Sequence, residues 1–230
     1  MISHILESLT YFFQEYGEML LEGIRDTLYM TLLSTFFGYV IGLPVGIVLT
    51  VSDKEGISPN KIVYTILDVI INITRSIPFL ILLILLVPFT KLLVGKSYGS
   101  TATIVPLTVA AAPLIARMVE SSLKEVNKGV IEAATSMGAG KIAITLKVLL
   151  AEAKTSLVVG TTIVLGTVLG YSAMAGVVGG GGLGDIAIRY GYYRFETFIT
   201  VVTVIIIVVI VQALQGLGML LAKSGDHRRA

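Results

Sequence analysis

The chain has 230 residues, of which 55% are hydrophobic and only 14% charged, with a mean hydropathy of +0.90 and a formal net charge of +2. A water-soluble domain carries about 25% charged residues, so the composition excludes an ordinary soluble enzyme and points to a membrane protein. Cysteine is absent, which excludes disulfides and thiolate metal sites, and the small net charge leaves no footprint for nucleic acid.

The chain opens on an acidic, patterned stretch. Ile5, Leu9, Phe12, Phe13, Tyr16 and Leu20 alternate with Glu7, Glu15, Glu18 and Glu22, and no basic n-region precedes them. The stretch is therefore not a cleavable signal peptide; residues 1–24 are predicted to form an amphipathic helix lying at the membrane interface.

Spanning a hydrocarbon core takes roughly 20 apolar residues. Residues 27–51, 97–116, 155–184 and 197–222 are uncharged runs of that length or more, and 62–90 is a fifth run carrying only Asp68 and Arg75. None alternates as a barrel strand would. The predicted fold class is an all-α integral membrane protein with five transmembrane helices. Asp68 and Arg75 are seven apart, share a helix face, and are placed at the cytoplasmic interface, where Arg can snorkel.

Five spans put the termini on opposite sides. Of the 17 Lys and Arg residues, twelve then fall on one side and five on the other. Basic residues near span ends favour the cytoplasm, so the N-terminus is predicted outside and the C-terminus cytoplasmic, with 223–230 a short cytoplasmic tail.

The charged segment 117–154 is thereby cytoplasmic. It mixes basic and acidic residues with apolar ones, contains no proline, and is divided by Asn127, Gly129, Gly138 and Gly140. The predicted parse is a third helix extended into the cytoplasm, a short transverse helix near 130–138, and a helix climbing back. Glu132 is expected in the first turn of the short helix, where a carboxylate suits the dipole. Ala133 and Ala134 keep that surface low, and Gly138 permits a sharp exit. Two readings fit: a docking surface for a partner, or a solvated helical hairpin.

Residues 179–184 hold five glycines around Leu183. A phosphate loop would end in Gly-Lys-Ser/Thr, but Leu183-Gly184-Asp185 follows, so this chain is not expected to hydrolyse ATP. The cluster instead predicts that the fourth span ends, breaks and re-enters near the outer surface. That span is rich in Gly, Ala, Ser and Thr, which suits close packing, including a subunit interface. Tyr171 and Met174 are its bulky exceptions. They are three apart and share a face, as a thioether-sized passage or as packing.

Glu132-Ala133-Ala134, three residues, then Gly138 resembles the start of the EAA loop of ABC-importer permeases. The family's later Ile-X-Leu-Pro stands here as Val148-Leu149-Leu150-Ala151, with Ala151 in place of proline. Arg75-Ser76-Ile77-Pro78-Phe79 resembles the Arg-X-X-Pro opening of a pathway helix in amino-acid-type permeases. Gly170-Tyr171-Ser172-Ala173-Met174, the glycine cluster and Tyr190-Gly191-Tyr192 resemble the methionine-import permease subfamily.

The resemblance covers residues 25–222 as one ABC transmembrane type-1 permease domain. It implies a multi-pass subunit of the bacterial inner membrane, paired with a second copy of itself and set among lipid. It also implies two cytoplasmic ATPase subunits that bind ATP-Mg, and an external substrate-binding (lipo)protein. Glu132, Ala133, Ala134 and Gly138 would dock the ATPase, while Tyr171 and Met174 would line the passage; no cofactor is expected in this chain. The alternatives are a permease for another amino acid or small osmolyte, a secondary transporter, or a membrane scaffold without transport.

Overall fold

The computed structural model describes residues 2–224, with side chains described at 12 and over 14–223, and every regular element among them is helical. In chain order these are α1 (Ile2–Ser52), α2 (Lys61–Ser76), α3 (Phe79–Leu85), α4 (Val87–Val94) and α5 (Ser100–Lys124). There follow α6 (Lys128–Ser136), α7 (Lys141–Ala143), a π turn (Ile144–Leu149), α8 (Leu150–Glu152) and α9 (Lys154–Ala175), the last drawn out by a 3-10 turn (Gly176–Val178). The chain ends in α10 (Gly182–Ile186), a second π turn (Ala187–Tyr192) and α11 (Thr197–Ser224). Four helices are long and apolar enough to cross a membrane: Gln14–Ser52, Ser100–Lys124, Lys154–Val178 and Thr197–Lys223. The pair α2 and α3, bent by 101°, is a broken span or a re-entrant segment, and counted as one span it brings the number among the described residues to five.

The N-terminal stretch differs from the expected separate interfacial helix. It runs without a break into the first span, because no proline or paired glycine interrupts it. Phe12, Tyr16 and Leu20 face Leu183, Ile186, Tyr190 and Ile199 of the C-terminal third, so this apolar face is turned to protein. The expected side chains of Ile5, Glu7, Leu9 and Phe13, and the tail 225–230, lie outside the described residues.

The second span is broken by sequence. Asn60 caps α2, its side chain accepting from the Ile62 and Val63 N–H groups at 3.1 and 3.2 Å. At the far end Pro78 has no N–H to give, and the residue before it is forced out of helical space. Ile77 accordingly has φ −82, ψ 122, and its N–H falls back to the Thr74 carbonyl at 3.3 Å.

The fourth uncharged run is not one helix to residue 184. Helical geometry stops at Val178, and the chain turns back through the glycines. Gly181 and Gly182 sit at φ +81 and +76, a region that L side chains avoid. The returning α10 lies so close to α9 that a Cβ on Gly184 would stand 2.1 Å from the Ala173 carbonyl oxygen. Gly99 N–H donates to the Gly179 carbonyl at 2.9 Å, and Leu183 N–H to Thr27 Oγ1 at 2.9 Å. The loop is thus tied to α5 and α1.

The most extensive helix contact is that of α1 with α5. Gly38, Gly42 and Gly46 recur every fourth residue of α1 and form one stripe. A Cβ there would meet Ile115 Cδ1 at 2.8 Å, the Ala112 carbonyl oxygen at 2.5 Å and the Ala116 carbonyl oxygen at 2.6 Å. Two of these obstacles are backbone and cannot rotate away. Lipid gives no hydrophobic drive between helices, so such small-residue seams supply the contact energy instead. Around the seam, Met30 of α1, Leu107, Ile115 and Val119 of α5, and Val164 and Val168 of α9 form the main buried cluster.

Gly42→Val is expected to separate α1 from α5 at a cost of about 3 kcal/mol or more, the upper range of core overpacking. Gly17→Val, where nothing lies within 4 Å of a new Cβ, is the control. Yield and melting temperature of the detergent-purified protein measure both; equal values for the two variants would refute the seam's role.

Candidate coupling surface and passage

The segment between α5 and α9 is built from strong local signals. Asn127 caps α6, accepting the Gly129 N–H at 2.8 Å. The far end closes as a Schellman motif. Gly138 N–H donates to the Thr135 carbonyl at 2.9 Å and Ala139 N–H to the Ala134 carbonyl at 3.1 Å, with Gly138 at φ +80. The sharp exit expected from Gly138 is present.

Two expectations about this helix are corrected. Glu132 lies in the second turn, since α6 already begins at Lys128 and has no acid in its first turn; the helix dipole is therefore not what positions it. Ala134 is buried against its own chain, so it seats α6 on the core and is not on the outer face. Glu132, Ala133 and Gly138 are exposed. Beside them stand apolar side chains the sequence reading left out: Met137 (82% exposed), Ile142 (76%) and Leu146 (56%). Their signal was present as isolated apolar residues in a charged segment beyond the spans.

The turn after α1 touches the start of α6 and the start of α7. Lys128 pairs with Glu55 at 2.5 Å, and Lys141 Nζ donates to Ser58 Oγ at 3.0 Å. Between them a cleft of about 330 Å³ opens, bordered by Asp53, Glu55, Lys124, Lys128, Ile131 and Glu132. The Lys128 ammonium holds the Glu55 carboxyl below the usual carboxylate range, and the hydrogen bond from Lys124 does the same for Asp53.

Behind the cleft a chain of charges joins three helices. Lys124 bridges Asp53 at 2.6 Å and Glu120 at 2.8 Å; Arg117 bridges Glu120 at 2.7 Å and Asp68. Tyr64 Oη donates to Glu120 at 3.2 Å, and Asn72 Nδ2 donates to Asp68 at 3.1 Å. Asp68 is therefore tied to Arg117, 49 residues away. Arg75, expected beside it at the same interface, lies two turns farther along α2, at the broken end.

Ala151, which stands where the family has proline, lets the climbing helix pass through. Leu150 N–H reaches back to the Thr145 carbonyl in the π turn, and Leu149, Leu150 and Ala153 all keep right-handed helical angles.

Tyr171 and Met174 are adjacent on α9 but differ in surroundings. Tyr171 is half-buried and stacks on Phe79 of α3, with ring centres 4.6 Å apart and planes within 6°. Met174 is 44% exposed. It continues a stripe of Ile163, Gly170 and Val177 that no part of the same chain covers.

Two main-chain donors of the glycine loop are turned to the protein itself. Its Gly180 and Leu183 N–H groups are already committed to the Ala175 carbonyl and Thr27 Oγ1. Among the described residues no group of three or more His, Asp or Glu could hold a metal ion.

Known proteins share this arrangement. The model of the family described as binding-protein-dependent transport system inner membrane component matches residues 42–223. A probable D-methionine transport system permease protein MetI of Vibrio cholerae is 45% identical over 92% of this chain and 94% of its own. The D-methionine transport system permease protein MetI of Escherichia coli K12 is 53% identical over 69% of this chain and 73% of its own. A solved chain of the MetNI methionine ABC transporter, in an inward-facing conformation, superposes with a TM-score of 0.91. It is 46% identical and covers 93% of this chain and 99% of that one. A chain of an amino acid ABC transporter, at 21% identity and a TM-score of 0.76, shares the fold. With the family's model matching residues 42–223, most of its length, the chain belongs to the inner-membrane components of binding-protein-dependent transport systems, with the permease fold of a type I ABC importer.

Proposed function

We propose that this chain is the permease of a methionine importer, working as a homodimer on two cytoplasmic ATPase subunits and fed by an external methionine-binding (lipo)protein. The observation that carries the substrate is the match to the methionine transporter chain across nearly its full length. As a permease it is a transport subunit rather than an enzyme; ATP-Mg is bound by the partner ATPase. The N-terminus is outside and the C-terminus cytoplasmic. The open stripe of α9 meets the same stripe of a second copy.

The mechanism is alternating access. Closure of the ATPase pair around ATP moves α6 through Glu132, Ala133, Gly138 and the exposed Met137 and Ile142. The contacts of Glu55 with the start of α6 and of Ser58 with the start of α7 support movement as one body with α1. The charge chain through Lys124, Glu120 and Arg117 extends that body to α2. Tyr171 and Met174 line the outer part of the passage.

Glu132→Arg reverses a charge on the docking face, and Gly138→Leu fills open space beside it while straining a positive φ. Each is expected to lower recovery of the ATPase complex from detergent about tenfold or more, as for a lost interfacial charge partner. Unchanged recovery with unchanged coupled ATP hydrolysis in both would reject the docking face.

Single cysteines at Ser136 and Tyr192 test the orientation, since the native chain has no thiol. In intact cells a membrane-impermeant maleimide is expected to label the Tyr192 position and spare the Ser136 position. The reverse pattern would overturn the topology.

Met174→Ala is expected to leave the fold of the single chain intact and alter uptake or basal ATP turnover, because its side chain is 44% exposed and has little packing to lose within its own chain. Tyr171→Ala removes the stack on Phe79 and is expected to lower the melting temperature as well. Loss of stability in proportion to activity in both variants would assign them to packing.

A further inference from the structure

Phe195 is held in a backbone conformation that costs the chain energy. At φ +60 it is the one non-glycine residue with positive φ among the described residues, in a region that bulky side chains avoid. The backbone on either side is fixed. Tyr193 N–H donates to the Ile188 carbonyl at 2.9 Å, and Ile199 N–H to the Glu196 carbonyl at 3.0 Å as α11 begins. Such strain persists where neighbouring structure imposes it, and it clusters at working surfaces. The ring gains little from its own chain, since Phe195 is 87% exposed. The loop is also turned the opposite way from one bathed in water. Its cation, Arg194, lies over the Tyr190 ring at 4.4 Å, and Arg189 pairs with Asp185 at 2.8 Å. Its rings are left open: Tyr192 and Tyr193 are exposed, 5.5 Å apart.

The position of these rings says what covers them. α11 enters a candidate span at Thr197, and its first turns leave Phe198, Val201 and Ile205 exposed. Phe195 stands three residues before Phe198 and continues that apolar face. Tyr98, also exposed, stands two residues before α5, another span. The two starts lie at one end of the bundle. Gly99 N–H ties the start of α5 to the Gly179 carbonyl just past α9. α11 runs antiparallel to α9, since Gly218 faces Thr162 and Gly166 faces Gln215, so it starts beside the end of α9. Exposed aromatic rings thus mark the starts of two spans at one level, where tyrosine and its like settle between headgroups and acyl chains.

We infer that Tyr98, Tyr192, Tyr193 and Phe195 form a lipid anchor that sets the depth of the glycine reversal beside them. Phe195 enters the acyl-chain boundary, and the tyrosines keep their hydroxyls among the headgroups. Transfer of the Phe195 ring into lipid offsets the strain of its backbone. It holds the loop before α11 at the membrane face while the opposite end is moved through α6. The anchor requires that α5 and α11 are spans, and it is independent of which substrate is carried.

The chain has no tryptophan, so Phe195→Trp gives it a single reporter. The complex of permease and ATPase is reconstituted in phosphatidylcholine vesicles, plain or brominated near the headgroup end of the acyl chains. The emission added over the wild-type complex in the same vesicles is read. Brominated lipid is expected to remove most of the added emission, and aqueous iodide little of it. Methionine-loaded binding protein is expected to leave it unchanged. Emission quenched by iodide and not by bromine puts the loop in water and overturns the anchor. Emission that neither quencher reaches gives the rings to a second copy, and emission that shifts with binding protein gives them to that protein; either overturns it. Phe195→Gly, which suits the positive φ, is expected to melt at or above the wild-type temperature in detergent. A clear drop would show that the ring packs within the protein, and would overturn the anchor. If Phe195→Trp fails to assemble, Tyr193→Trp is read in the same way and decides.

Discussion

The seam between α1 and α5 is the constraint from which the arrangement around α6 follows. In lipid, helices are not driven together by exclusion from water, so the distance at which two backbones can meet decides which pairs persist. Gly38, Gly42 and Gly46 bring α1 against the Ala112 and Ala116 carbonyls of α5. That contact fixes the rotation of α5, and with it the direction of Arg117, Glu120 and Lys124. Only then can Lys124 reach Asp53 below α1 while Arg117 reaches Asp68 on α2. Glu120, almost fully buried, is tolerable there because both cations and the Tyr64 hydroxyl satisfy it.

The two halves of the molecule are held differently. The end that carries α6 is a braced unit of ion pairs, caps and a Schellman turn. The opposite end is held by main-chain geometry: glycines that reverse α9 into α10, and single hydrogen bonds from that loop to α1 and α5. The broken pair α2–α3 runs between them, carrying Asp68 in the charge chain and Phe79 against Tyr171.

Much of the site was legible from local chemistry. Asn127, Gly138 and the absence of proline were enough to outline a short helix outside the spans, and Glu132, Ala133 and Gly138 are exposed on it. The register of that helix was not legible. Lys128 starts it two residues before the sequence reading did, which moves Glu132 from the first turn to the second, and Ala134 is turned inward. Met137 and Ile142 were passed over because an apolar residue in a charged stretch has no assigned face until the helix beneath it is seated. The helical spacing that put Tyr171 and Met174 on one face was correct as spacing, yet α3 covers one and leaves the other open.

Hydropathy and punctuation by themselves determined the class, four of the five expected spans and the reversal at residues 179–184, and the break at Pro78, which the reading of 62–90 as one run passed over, is equally local. Each depends on local physics: transfer of apolar runs into lipid, a missing N–H, or a positive φ that only glycine adopts cheaply. Only the tertiary structure decided the partners. Asp68 was read against Arg75, seven residues away on one helix, and is bound to Arg117 on another. The long N-terminal helix turned its apolar face to α10 and α11 instead of lying as a separate interfacial element. Charge pairing and helix contact depend on distances across the bundle, set by which backbones approach most closely, and a linear reading of residue spacing contains no such distance.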